Sequence, residues 1–222
     1  EYKELPQKNI DTGMGLERLV ALIQDGETNF DTDLFLPIIY ATQDMAKYPY
    51  PGEYKMAYRV IADHVRTITF ALSDGANFSN SGRGYVLRRV LRRAARFGLK
   101  LGLDEPFLYK LVPVVADNMK DFYPYLQEHV EFNQKLIKIE EETFRKTLKN
   151  GQSLLDEEMN KADGKLSGEV VFKLYDTYGF PLELTIEIAQ ESGYDVDEEG
   201  FKEEMKAQQE RARNARGDVE SM

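Results

Sequence analysis

The sequence predicts a mainly α fold, and three observations carry that expectation. Ala57, Ile61, Val65, Ile68 and Leu72 recur at the spacing of one helix face. Arg88, Arg92 and Arg96 follow every fourth residue, with Leu87, Val90, Leu91 and Ala94 on the other side of the same segment. A long periodic stretch from Leu126 to about Asn150 places Val130, Ile137, Phe144 and Leu148 on a third such face.

The elements follow in order. An extended opening and a glycine turn at Gly13 and Gly15 lead into a helix with Met14, Leu16, Leu19, Val20, Leu22 and Ile23 among its apolar residues. A second helix is expected after residue 31, with Asp31 or Asp33 as its cap and Pro37 disturbing its first turns. The turn Pro49-Tyr50-Pro51-Gly52 precedes the third helix, which Asp74-Gly75 ends. A polar loop over residues 76–84 leads into the arginine helix. Residues 106–120 predict a short helix with Pro113 as its weak point. Beyond the Asp163-Gly164 turn come a helix closed near Gly179, a second opened by Pro181 and ended at Gly193, and a polar helical tail.

With 222 residues the chain is long enough for one large domain or two small ones, and its 42% apolar and 11% aromatic content is globular. No apolar run approaches the roughly 20 residues of a membrane span, and nothing resembles a signal peptide. The absence of cysteine removes disulfides, thiolate metal sites and a cysteine nucleophile. Two histidines leave no basis for a histidine zinc site. His64, at helical spacing with Ile61 and Val65, reads as a hydrogen-bonded packing residue, and His129 as a surface group. A reducing, cytoplasmic setting is compatible with this usage.

The net charge of −10 conceals an uneven distribution. Residues 75–103 hold seven basic groups and no acidic one, while residues 1–74 hold seven basic against twelve acidic. Five arginines on adjoining helix faces would neutralise several phosphates; they would equally serve as a solvated face paired with acidic neighbours. Asn80, directly before this helix, fits a turn or cap as well as a recognition role. Two glycines before a helix allow either a plain turn or the close approach of an anion, and no P-loop or complete dinucleotide fingerprint is present.

Four segments, in order, carry a resemblance. DTGMGLERL (residues 11–19) resembles motif 3 of class II aminoacyl-tRNA synthetases in its alanyl form. RVIADHVRTITFALSDG, SNSGRGYVLRRVLRRAARFG and LYDTYGFPLELT resemble the tRNA-recognition region of the same enzymes. The resemblance spans residues 5 to about 210 and implies a helical tRNA-recognition domain (29–222) following the C-terminal end of an α+β catalytic domain (1–28). It places Asp11 and Gly13 at the alanine ammonium site and Gly15 and Arg18 at ATP. A carboxylate suits an ammonium, and a permanently charged planar guanidinium suits a nucleotide.

The resemblance also assigns Asn80 and Asp176 to the G·U wobble pair of the tRNA(Ala) acceptor stem, with Arg83, Arg88, Arg89, Arg92 and Arg93 as further RNA contacts. A wobble pair leaves the guanine 2-amino group exposed in the shallow minor groove, where an amide oxygen or carboxylate can accept from it. Tyr175, Tyr178 and Phe180 read as core residues rather than base-stacking groups.

ATP and Mg²⁺ are the cofactors implied for the whole enzyme, and zinc belongs to an editing domain whose histidine motif has no match here. Nothing stands for motif 1 or motif 2, so the chain reads as a fragment, inactive alone in adenylate formation and with no cofactor of its own expected bound. The competing readings are a non-specific helical RNA-binding module and an acidic helical interaction protein whose arginines pair internally.

Overall fold

The five apolar positions from Ala57 to Leu72 all turn inward on α3 (Lys55–Ser73), the central helix of the first of two compact units, Glu1–Glu142. The computed structural model describes residues 3, 6–9, 12–80 and 82–217, with side chains through 211. α4 (Gly82–Lys100) and α5 (Leu108–Met119) pack against α3, and α2 (Leu36–Gln43) lies over α3 and α5. Leu91 and Ala94 of α4, Leu108, Leu111 and Val115 of α5, and Ile61, Val65 and Ile68 of α3 are all fully buried where these helices pack. Each fully buried branched side chain contributes about 1.5–3 kcal/mol over its exposed state.

α1 (Leu16–Ile23) belongs to this unit through polar contacts: Glu17 pairs with Arg66 of α3 at 2.8 Å. Arg66 also stands 5.0 Å over the Phe35 ring. The expected cap of α2 is corrected here. Asp31 belongs to a 3-10 turn over Asn29–Asp31, where its carboxylate accepts from the Thr28 backbone N–H at 2.9 Å in a capping box. Asp33 is exposed, and its N–H donates to Gln24. α2 starts at Leu36 without a side-chain cap and takes Pro37 in its first turn, where no N–H is required.

Pro113 does not break α5. A proline there frees the carbonyl four residues back, at Tyr109, and the Gln134 side chain donates to that oxygen at 3.1 Å. Gln134 lies on α7 (Val130–Lys161), which begins in the first unit and ends in the second. Ahead of it, α6 (Tyr125–Glu128) is a separate turn that His129 closes. His64 is mostly buried and meets Asp63 at 2.8 Å.

In the second unit, Thr143–Met222, α8 (Gly168–Tyr178), α9 (Leu182–Glu191) and α10 (Glu198–Gly217) pack together, α8 against both of the others. Gly179 ends α8 in the left-handed conformation (φ 67°), and the Phe180 N–H returns to the Leu174 carbonyl at 2.9 Å. A two-residue parallel pair, β1 (Lys165–Leu166) with β2 (Asp195–Val196), was not legible in the sequence because it is too short to show a period. Among the described residues no helix is long and apolar enough to cross a membrane.

Candidate functional site

The first candidate segment sits at the start of α1. Asp11 lies outside the described residues. Gly15 is the residue before the helix, with ordinary extended angles (φ −70°, ψ 115°), so neither a left-handed turn nor strain accounts for it. Gly13 has open space around it, and a Cβ on Gly15 would touch the Arg18 side chain at 3.5 Å. Arg18 is exposed one turn into the helix. The helix presents most of its apolar residues outward: Leu22 and Ile23 are 80% and 74% exposed, and only Ala21 is buried.

Glu17, beside Arg18, anchors this segment, and its ionisation sets a pH dependence. A backbone hydrogen bond at Glu17 lowers its carboxyl pKa most, partial burial opposes, and Arg66 lowers it again, for a net shift downward. A depressed folded-state pKa stabilises above the unfolded-state value and is lost as pH falls through the folded one. Glu17→Gln is therefore expected to lower the thermal midpoint at pH 7, by an amount worth under about 1 kcal/mol for so open a pair. The gap between variant and parent should narrow and close as the pH falls through and below the depressed Glu17 pKa; a gap that stays constant as the pH is lowered would contradict the pairing.

The second candidate region is the arginine helix, and the structure sorts its arginines. Arg83, Arg89 and Arg93 are exposed, and Arg93 lies 5.7 Å over the Phe97 ring. Arg88 and Arg92 turn toward α7, where the buried Glu140 carboxylate meets Arg88 Nε at 2.8 Å and Arg92 Nη2 at 3.4 Å. Arg96, one further turn along that stripe, is 8% exposed. Burial pushes the Arg92 pKa down and Glu140 pushes it back; a guanidinium in this range stays charged. Residues 88, 92 and 96 thus face inward and 83, 89 and 93 outward, in keeping with the expectation that some of these arginines turn toward other helices.

Asn80 is exposed at the end of the loop before α4, and its Oδ1 accepts from Arg88 Nη1. A guanidinium only donates, so the carboxamide oxygen must face Arg88, which leaves the Nδ2–H₂ donors and one oxygen lone pair for a ligand. Gly84, in the first turn of α4, lets the loop lie against the helix, because a Cβ there would overlap the Asn77 carbonyl oxygen. Glu140, Arg88, Arg92 and Asn80 therefore form one linked cluster.

Asp176 belongs to the second unit, exposed in the last turn of α8, and accepts from Gln208 Nε2 of α10 at 2.6 Å. Phe180 is fully buried and Tyr178 half-buried, as core residues should be. Tyr175 departs from the expectation, being 41% exposed with its ring edge-on to Phe201 at 5.6 Å. Among the described residues no group of three His, Cys, Asp or Glu is placed to hold a metal ion.

Sequence reasoning passed over Glu140 and Gln208. A signal for Glu140 existed: it falls three residues after Ile137 and four before Phe144, on the buried face those residues define.

With the helical fold and the arginine cluster described, the comparisons with known proteins define the class. The family model for class II (A) tRNA synthetases matches residues 1–222, and the chain belongs to that family. It is 58% identical, along its whole length, to the alanine–tRNA ligase of Ligilactobacillus salivarius (strain UCC118). It is 55% identical to the alanine–tRNA ligases of Bacillus anthracis and Lactobacillus delbrueckii subsp. bulgaricus, again over all of this chain. The chain spans 26% of the length of each of these relatives.

Proposed function

We propose that this chain is part of an alanine–tRNA ligase, an enzyme that forms alanyl-adenylate from alanine and ATP and transfers alanine to tRNA(Ala) in the cytoplasm. Residues 1–28 are the C-terminal part of its catalytic domain, with Asp11 and Gly13 at alanine and Gly15 and Arg18 at ATP. Residues 29–222 recognise the acceptor stem. ATP and Mg²⁺ serve the whole enzyme; of the described residues, Arg18 at the open N-terminus of α1 suits the nucleotide, and none is assigned to Mg²⁺. By itself the chain forms no adenylate.

The observation that carries the recognition role is the layout of residues 75–103: an acid-free segment with Asn80 exposed at its entrance and Arg83, Arg89 and Arg93 exposed beyond it. Cations so placed attract phosphate without sequence preference, while an amide at their edge can read a base. Asp176 is the second proposed reader. The Glu140 pairing favours a second reading, in which the arginines serve internal ion pairs and the module binds no RNA.

The test is binding of acceptor-stem minihelices carrying G·U or G·C at two salt concentrations. The chain should prefer G·U, with affinity falling as salt rises. Asn80→Ala and Asp176→Ala should each reduce that preference about tenfold, the scale of one misread pair. A salt-sensitive but indifferent chain would be a non-specific RNA module, and no salt-dependent binding would favour the internal-pairing reading.

A further inference from the structure

We propose that Glu140 is the positioning residue of the recognition loop: from α7 it fixes Arg88 and, through Arg88, the orientation of the Asn80 carboxamide. This inference rests on the proposed reading of Asn80 as a base reader and names what sets its specificity.

The cluster is built outward from a buried charge. Glu140 is almost fully buried, and a carboxylate in that position is tolerated only with cationic partners. Arg88 at 2.8 Å and Arg92 at 3.4 Å supply them. Both guanidinium groups are largely covered, with side-chain exposures of 19% and 14%. Two covered arginines on successive turns of one helix, sharing one carboxylate, have little rotamer freedom.

Arg88 is the branching point. Its Nε lies against Glu140 while its Nη1 donates to Asn80 Oδ1. The rigid guanidinium fork converts the position of Glu140 into an orientation of the Asn80 amide. An exposed asparagine without such a partner samples both amide orientations and offers a ligand donor or acceptor indifferently. Held by Arg88, it presents its remaining oxygen lone pair, the acceptor that an exposed guanine 2-amino group needs, on a fixed side. The outward arginines, by contrast, supply charge without fixing any base-reading group. Glu140 thus divides the basic helix into an orienting stripe (Arg88, Arg92) and a phosphate-facing stripe (Arg83, Arg89, Arg93).

Glu140→Gln tests the inference, since it keeps the shape and removes the charge. Three measurements on the 222-residue chain are needed: helical circular dichroism, G·U over G·C minihelix preference, and NMR of the ¹⁵N-labelled Asn80 side-chain amide. The expected result is a folded variant whose preference drops about tenfold, like Asn80→Ala. The double variant E140Q/N80A should lose no more than either single one, because both act on one contact. The Asn80 amide signals should shift and narrow as that group is released.

Arg88→Lys is the second variant if E140Q loses helical signal; it keeps a cation near Glu140, removes the fork, and is expected to give the same loss. A folded E140Q or R88K that retains both the preference and the parent Asn80 signals overturns the inference. If the parent chain itself shows no G·U preference, the function reading fails, and the Asn80 amide signals alone decide the positioning claim. Release in E140Q would then support it and no change would refute it.

Discussion

Glu141→Ala is expected to destabilise the first unit by about 3 kcal/mol, through the loss of one carboxylate and two backbone hydrogen bonds. Glu141 is fully buried on α7, and its Oε2 accepts from the backbone N–H groups of Phe107 at 3.1 Å and Leu108 at 3.0 Å. These are the first donors of α5, whose N-cap Phe107 offers no side-chain acceptor of its own. A carboxylate at that end also complements the helix dipole. Alanine would leave the two N–H groups buried without this acceptor, at a cost of about 1–3 kcal/mol for each unsatisfied group.

Glu141→Gln, which keeps one oxygen acceptor, should cost about half as much. The chain has two units, so a single denaturation midpoint can blend two transitions. Amide hydrogen exchange at Phe107 and Leu108 reads the cap directly and should lose protection in Glu141→Ala. A variant with unchanged protection at both amides and a stability loss below about 0.5 kcal/mol would contradict this account.

The neighbouring acids Glu140 and Glu141 mark where the sequence was readable and where it was not. Apolar spacing located α3, α4 and α7, because burial of one face leaves a period-3.6 trace that needs no knowledge of partners. It also placed Gly179 at the end of α8, since a glycine after an apolar helical run has a local conformational reason. The same period places acids such as Glu140 on the buried face of α7 but does not show what they pair with. Their meaning comes from α4 and α5, which lie more than thirty residues away along the chain.

Pro113, the expected weak point of α5, is accommodated for the same reason: the group that satisfies the freed Tyr109 carbonyl, Gln134, comes from another helix. Asp31 was assigned to the wrong element because Thr28, three residues earlier, completes a capping box that fixes it to the 3-10 turn. The arginine helix gave the most informative partial result. Composition located the basic segment, and spacing by four grouped residues 88, 92 and 96. Only the position of Glu140 shows that this grouping faces inward, while residues 89 and 93 are exposed.

Gly84→Ala is expected to abolish the G·U preference at least as completely as Asn80→Ala, about tenfold or more, while leaving most of α4 helical. A Cβ at residue 84 would overlap the Asn77 carbonyl oxygen and lie 2.5 Å from Ser79 Oγ and 2.9 Å from the Ser79 backbone nitrogen. Two of these three atoms are backbone, so a side-chain rotation cannot relieve the clash. The loop over residues 77–80 must lift away from the helix, carrying Asn80 away from Arg88. Alanine favours a helix over glycine by about 1 kcal/mol, whereas overpacking costs about 1–3 kcal/mol. The net stability change is therefore small, and the effect falls on recognition.

This separates the variant from a general folding defect. Circular dichroism should be close to that of the parent, the Asn80 side-chain amide signals should match those of Glu140→Gln, and the minihelix preference should vanish. Affinity for both minihelices should keep its salt dependence, because Arg83, Arg89 and Arg93 are untouched. A Gly84→Ala chain that still prefers G·U would mean the loop reaches its recognition geometry without resting on α4, and the role assigned to Arg88 would fall with it.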